Sequence, residues 1–229
     1  MMRKPSRLKL STCSSLTSSN AVRCGTVVAT QVPYPRMDEL SKQPLEAFLA
    51  AVADATPAPG GGSSAAVTAA LAAALVEMAA RIASSNATGS LRSDRAADQA
   101  GALRARALRL AQEEMSSYAP VLEARDEHER ELALAAASEP PAHIAELAAD
   151  VAELGADVAA SSSPSVRGDA LTGVVLAEAA ASAAFRLVEI NVGAGPVFER
   201  AREAELRAVN ARATGTGRPP PPPHAPIPR

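Results

Sequence analysis

The sequence predicts an all-α protein: a single helical-bundle domain of about six to seven helices around a buried, Ala-rich central helix. Three observations carry that expectation. Apolar residues make up 47% of the 229-residue chain, yet aromatics are only 2% and Trp is absent, so the core has to be built from Ala, Leu, Val and Ile. Alanine is the strongest helix former and a poor strand residue, which favours helices lying close together. Apolar residues recur at three- and four-residue spacing, and no alternating β-branched run bounded by turns interrupts them.

The domain is read as residues 37–213, about one domain's length. Residues 1–36 form a basic, Ser-rich leader without Asp or Glu and without the apolar core of a signal peptide. Its composition resembles an organelle transit peptide, but MDELSKQPLEAF, starting at Met37, reads as a natural start, with the leader an upstream extension of no structural role. The leader holds six basic residues, so a net charge of −2 for the chain leaves the remainder at −8. An acidic domain with no clustered basic face excludes a nucleic-acid binder. Both cysteines, Cys13 and Cys24, lie in the leader, which leaves the domain no disulfide framework and suits a cytoplasmic setting. Residues 214–229 read as a disordered, Pro-rich tail.

The elements follow in order. Leu45, Phe48, Leu49 and Val52 give one apolar stripe over a first helix at 37–55, ended by Pro57 and Pro59. After Pro59-Gly60-Gly61-Gly62-Ser63 comes a helix over 64–84 that is apolar nearly all round, as a buried helix is. Ser63 or Ser64 is its expected cap. Glu77 and Arg81 near its end are read as a simple i,i+4 pair, and they argue against a membrane span, as does the dominance of alanine. A helical pattern then runs from Ser93 to about Ala137, with a kink or break at Pro120. Pro140 and Pro141 open a helix to Ser161, Asp169 begins an apolar one to about residue 190, and a charged helix spans 196–212.

Chemistry-bearing residues are few. Three consecutive glycines at a helix start relieve the backbone of steric limits and present free amides at the positive end of the helix dipole, a ready anion site. The spacing is neither a P-loop nor a dinucleotide fingerprint, so a tight turn with a cap is the competing reading. Asp169 is either a first-turn acid that stabilises its helix or a carboxylate held at an apolar edge for proton transfer. Glu178 lies half a helical revolution away from it, so the two make no catalytic pair within a subunit, and its apolar helix demands an Arg partner. His128, His143 and His224 show no ligand spacing, and no metal site is expected.

Two stretches together carry a family resemblance. PAPGGGSSAAVTAALAAALVEMAARI resembles the PTPGGGS turn and small-residue helix of the formiminotetrahydrofolate cyclodeaminase / methenyltetrahydrofolate cyclohydrolase family. SPSVRGDALTGVVLAEAAASAAFRLVEIN resembles its second signature, with Pro164, Asp169, Ala170, Glu178, Ile190 and Asn191 on matching positions. Departures are Leu187 and Glu189, where members often carry Asn and a basic residue, and Gly168 in place of Ser. The resemblance implies an all-α fold, a homodimer and a reduced folate as substrate, with no further cofactor. It also implies cyclisation of 5-formiminotetrahydrofolate with loss of ammonia, or hydrolysis of 5,10-methenyltetrahydrofolate, through a tetrahedral carbon between N5 and N10. The cyclohydrolase reaction is the preferred one because the chain carries this domain alone. Asp169 takes the proton-handling or pterin-orienting role on this reading, and Gly60, Gly61, Gly62, Ser63 and Asn191 contact the substrate. The alternative is a catalytically impaired relative, dimeric, that binds a folate-like ligand or a partner.

Overall fold

The structure, a computed structural model, describes residues 42–56, 58–85 and 91–217. The leader and most of the Pro-rich tail lie outside these residues. Among the described residues every regular element is a helix. In chain order they are α1 (Leu45–Ala53), α2 (Gly61–Ser85), α3 (Leu91–Ser117), α4 (Ala119–Glu123), α5 (Glu127–Ala137), α6 (Glu139–Ser161), α7 (Pro164–Asn191) and α8 (Pro196–Thr216).

Five long helices make the bundle. α2, α6 and α7 touch one another at the centre; α3 lies on α2 and α6, and α8 lies on α6 and α7. Side-chain pairings give the directions. Ser63 meets Glu114 while Glu77 meets Arg104, so α2 and α3 are antiparallel. Gly61 lies against Leu187 and Gly173 against Val76, so α2 and α7 are antiparallel as well. α6 and α8 run parallel: Arg200 reaches Glu139 and Glu146, and Arg207 reaches Asp150 and Glu153. One end of the bundle, the upper end below, therefore holds the starts of α2, α6 and α8 and the ends of α3 and α7.

Alanine makes the closeness possible. Ala66, Ala69, Ala72, Ala73, Ala142, Ala148, Ala177 and Ala181 are fully buried. Gly155 sits where an added Cβ would stand 2.8 Å from Val174 Cγ2 and 3.0 Å from Val76 Cγ2. All three central helices meet at that point. By length and apolar composition alone α2 and α7 could each cross a membrane; about half of each apolar window (56% and 44%) is buried inside the bundle, as in the core helices of a helical bundle.

Several local expectations change. The helical pattern from Ser93 to Ala137, read with a kink or break at Pro120, is three helices: it breaks between Ser117 and Ala119, beside Pro120, and again before α5, which Asp126 caps by accepting from the Glu129 amide at 2.8 Å. α7 begins at Pro164, five residues before Asp169, which places Asp169 in the second turn instead of at the helix start. α8 runs to Thr216, three residues into the segment read as tail.

Candidate functional site

The glycine turn is at the upper end. α2 already begins at Gly61, so Ser63 and Ser64 lie inside the first turn and neither caps it as expected. Ser64 Oγ instead donates to the Gly60 carbonyl at 2.8 Å. The cap comes from another helix. Glu114 of α3 places one carboxylate oxygen 2.9 Å from the Ser63 amide and 2.8 Å from the Ser63 hydroxyl, accepting from both. A carboxylate suits that place, where unpaired amides and the helix dipole concentrate positive potential. Gly62 makes the approach possible: a Cβ there would overlap the Glu114 carboxyl, 2.2 Å from Oε1.

This corrects part of the reading of the turn. Ser63 was expected to offer its amide to the substrate, but that amide is taken by Glu114, and Ser63 is wholly buried. The amides of Gly61 and Gly62 have no partner among the described residues. Leu187 packs beside Gly61, where an added Cβ would sit 3.7 Å from it. Asn191 is one turn beyond Leu187 on the same side of α7, so Gly60, Gly61, Gly62 and Asn191 gather at one end.

Asp169 is elsewhere. It precedes Leu187 by eighteen residues, five complete turns, so it lies on the same side of α7 but about 27 Å lower along the axis. It is exposed, with no hydrogen bond or ion pair among the described residues. Within one chain the structure does not bring Asp169 to the glycine turn. Gly168 beside it has no atom within 4 Å of an added Cβ, so nothing in the protomer requires a glycine at this helical position.

The buried charges are structural. Glu178 finds the Arg its position demanded: Arg212 of α8, 2.7 Å away. Glu77 makes the i,i+4 pair with Arg81 that was read for it, but that pair is not the whole of it. It is buried and held by Arg81 at 2.7 Å and by Arg104 of α3 at 2.9 Å. The hydrogen bond from Arg104, then that from Arg81, pulls its pKa below the ordinary carboxylate value of 4.5, against the opposing effect of burial. The logic that gave Glu178 a distant Arg applies equally to Glu77 and would have demanded a further cation for it, without saying that Arg104 supplies it. No local signal pointed to Glu114, since its partner is 51 residues away in sequence. No group of three or more His, Cys, Asp or Glu that could hold a metal occurs among the described residues.

Comparison with known proteins gives this arrangement a lineage. The crystal structure of formiminotetrahydrofolate cyclodeaminase from Thermotoga maritima superposes with a TM-score of 0.73, covering 77% of this chain and 96% of that one at 23% identity. At that identity the likeness speaks for the fold alone. No curated protein matches. The profile described as formiminotransferase-cyclodeaminase matches residues 44–208, the whole bundle from α1 into α8. With both signatures inside that match, the chain belongs to the formiminotransferase-cyclodeaminase family.

Proposed function

We propose that the protein is a folate-dependent one-carbon enzyme, working as a homodimer in the cytoplasm. It closes 5-formiminotetrahydrofolate with release of ammonia, or opens 5,10-methenyltetrahydrofolate with water. The observation that carries this reading is the family's glycine turn, with Gly61 exposed and the Gly61 and Gly62 amides unpartnered among the described residues, at the end of the bundle where Asn191 closes α7. In either reaction a tetrahedral carbon forms between N5 and N10, and its collapse needs a proton delivered to the departing nitrogen. Donors fixed in advance around such a centre, with a carboxylate to carry the proton, lower its energy without reorganisation. The Gly61 and Gly62 amides are suited to orient the substrate, and Asn191 to hydrogen-bond it. Asp169 is the proton carrier on this reading; it stands about 27 Å from the glycine turn of its own chain, so it would act at the turn of the other subunit in the homodimer. Glu114 is committed to Ser63 and serves as the cap.

A second reading draws on Leu187 and Glu189. Leu187 packs on Gly61, and Glu189 is bound to Arg186 at 2.5 Å, so both positions are spent on internal contacts. A relative that binds folate without turning it over would fit that use.

One assay tests both readings. Addition of protein is expected to speed the loss of methenyltetrahydrofolate absorbance, or to release ammonia from the formimino substrate, and Asp169→Asn should abolish the effect. Binding by calorimetry with neither reaction establishes the second reading. No turnover and no binding sinks both.

A further inference from the structure

At the lower end of the bundle, where α2 and α6 finish and α3 begins, the three helices border a cavity of about 260 Å³. Its floor is apolar: Ala80 and Ala83 of α2, Ala96 of α3, and Leu154 and Val158 of α6. The three alanines leave open the room that longer side chains would fill. Ala83 lies twenty-two residues down α2 from Gly61, about 33 Å along the axis, so this place is separate from the glycine turn.

The rim carries an excess of positive charge. Arg92, Arg95 and Gln99 are three and four residues apart on one face of α3, beside Ala96, and all three line the cavity. Among the described residues neither Arg95 nor Gln99 has a hydrogen bond or ion pair. Arg92 is held by Asp157 of α6 at 3.4 Å, with the two side chains 78% and 70% exposed. A pair that long and that open contributes little. Asp157 is the one carboxylate of the lining, so two guanidiniums face a single acid. The acids nearest in sequence do not change this balance. Asp98 is outside the lining, and Asp94 accepts from the Ser84 hydroxyl. Elsewhere the balance runs the other way. The chain beyond residue 36 has a net charge of −8. Along α6 and α8, three arginines line a groove together with four carboxylates, and Arg200 and Arg207 there are each bound twice. Arg92 and Arg95, about one turn apart, repel each other instead.

We infer that this cavity binds a small organic anion, whose carboxylate or phosphate head bridges Arg92 and Arg95 while its apolar body lies on the alanine floor. A guanidinium offers its N–H groups as a planar fork that fits either head with two parallel hydrogen bonds. Gln99 adds a carboxamide for a further polar group of the ligand. The Ser161 hydroxyl, also in the lining, already donates to the Asp157 and Val158 carbonyls, which leaves recognition to α3. Size selects a compact molecule. A dry cavity of about 150 Å³ takes up benzene, so this one has room for a ring-sized body and its charged head.

Calorimetry on the full-length chain, at a constant salt concentration of about 0.15 M, tests the site with inorganic phosphate, phenyl phosphate, acetate and benzoate. The two phenyl compounds share a body and differ in head; the two simple ions lack the body. At least one phenyl compound should bind at one site per chain, about tenfold or more tighter than its simple ion, because the ring leaves water. The head that binds better identifies the ligand as a phosphate ester or a carboxylate. Arg95→Gln should weaken that binding about tenfold or more, through loss of a charge-assisted contact. Arg92→Lys should weaken it too, since an ammonium has the charge but not the fork. Ala96→Leu should remove the advantage of the ring by filling the floor. Arg109→Gln, which takes away an exposed arginine of α3 outside the lining, should change nothing. Asn191→Ala, at the upper end, should change nothing either. Melting curves without ligand separate lost binding from lost fold, and the exposed Arg95 gives a test even where Ala96→Leu unfolds. No binding of any probe at millimolar concentration, or equal binding of the phenyl compounds and the simple ions, overturns the proposal. A loss in Arg109→Gln as large as in Arg95→Gln overturns it as mere surface charge. A comparable loss in Asn191→Ala overturns it by moving the anion to the glycine turn.

Discussion

Replacing Glu114 separates a structural cap from a solvated surface acid. In Glu114→Ala the Ser63 amide and hydroxyl lose their acceptor, and Ser63 is wholly buried, so little water can take its place. A buried donor left unmade costs about 1–3 kcal/mol. Two donors share one oxygen here, so the loss should be about 2–3 kcal/mol and not twice the single figure. Glu114→Gln keeps a carbonyl oxygen for the amide and gives up the charge at the helix start, a loss of about 1 kcal/mol. For a domain of this size these losses correspond to melting shifts of about 4–12 °C and about 2–4 °C. Gly62→Ala should behave like Glu114→Ala, since the new methyl occupies the carboxyl's place. Urea unfolding of Glu114→Ala, Ser63→Ala and the double variant isolates the coupling, expected at about 1 kcal/mol or more. Additive losses, or a Gln variant as damaged as the Ala variant, would refute the capping role.

Three further outcomes follow from the packing and the charges. Gly155→Ala should cost about 1–3 kcal/mol by urea unfolding, because Val174 and Val76 both crowd the new methyl and lie on different helices; a neutral result would mean that α6 can shift freely. Glu77 titrates below 4.5 in the folded chain, so its ionised form contributes stability that is present above the unfolded-state value and lost as pH falls through the lower folded value. Glu77→Gln should therefore flatten the fall of stability below about pH 4.5, and an unchanged acid limb would show that Arg81 and Arg104 do not favour the carboxylate. Arg207, whose pKa is raised by hydrogen bonds to Glu153 and then Asp150, ties α8 to α6; Arg207→Met should lower the melting temperature by about 2–4 °C, with less difference at high salt.

The helix N-terminus illustrates how an attractive local argument is overtaken. Free amides and a dipole invite an anion, and here the anion is the protein's own. The pair of glycine amides next to it is left without a partner among the described residues. Gly62 serves a structural end, giving the Glu114 carboxyl its room.

All-α architecture, the helical segments and the family were legible in the sequence because they rest on short-range regularities. Alanine content, three- and four-residue spacing, the proline stops and two signature stretches are each contained in a few dozen neighbouring residues. The need of Glu178 for an Arg was legible too, since burial of a charge forces a partner whatever the topology. What the tertiary structure decided were the pairings between distant segments: Glu114 with Ser63, Arg104 with Glu77, Gly155 with two valines. A helix's own periodicity says which side is apolar but not which neighbour covers it. The central helix α2 shows the difference. Its sequence is apolar nearly all round, which announces burial. Only the arrangement of α3, α6 and α7 around it shows which side stays exposed, that of Leu71, Met78 and Ile82.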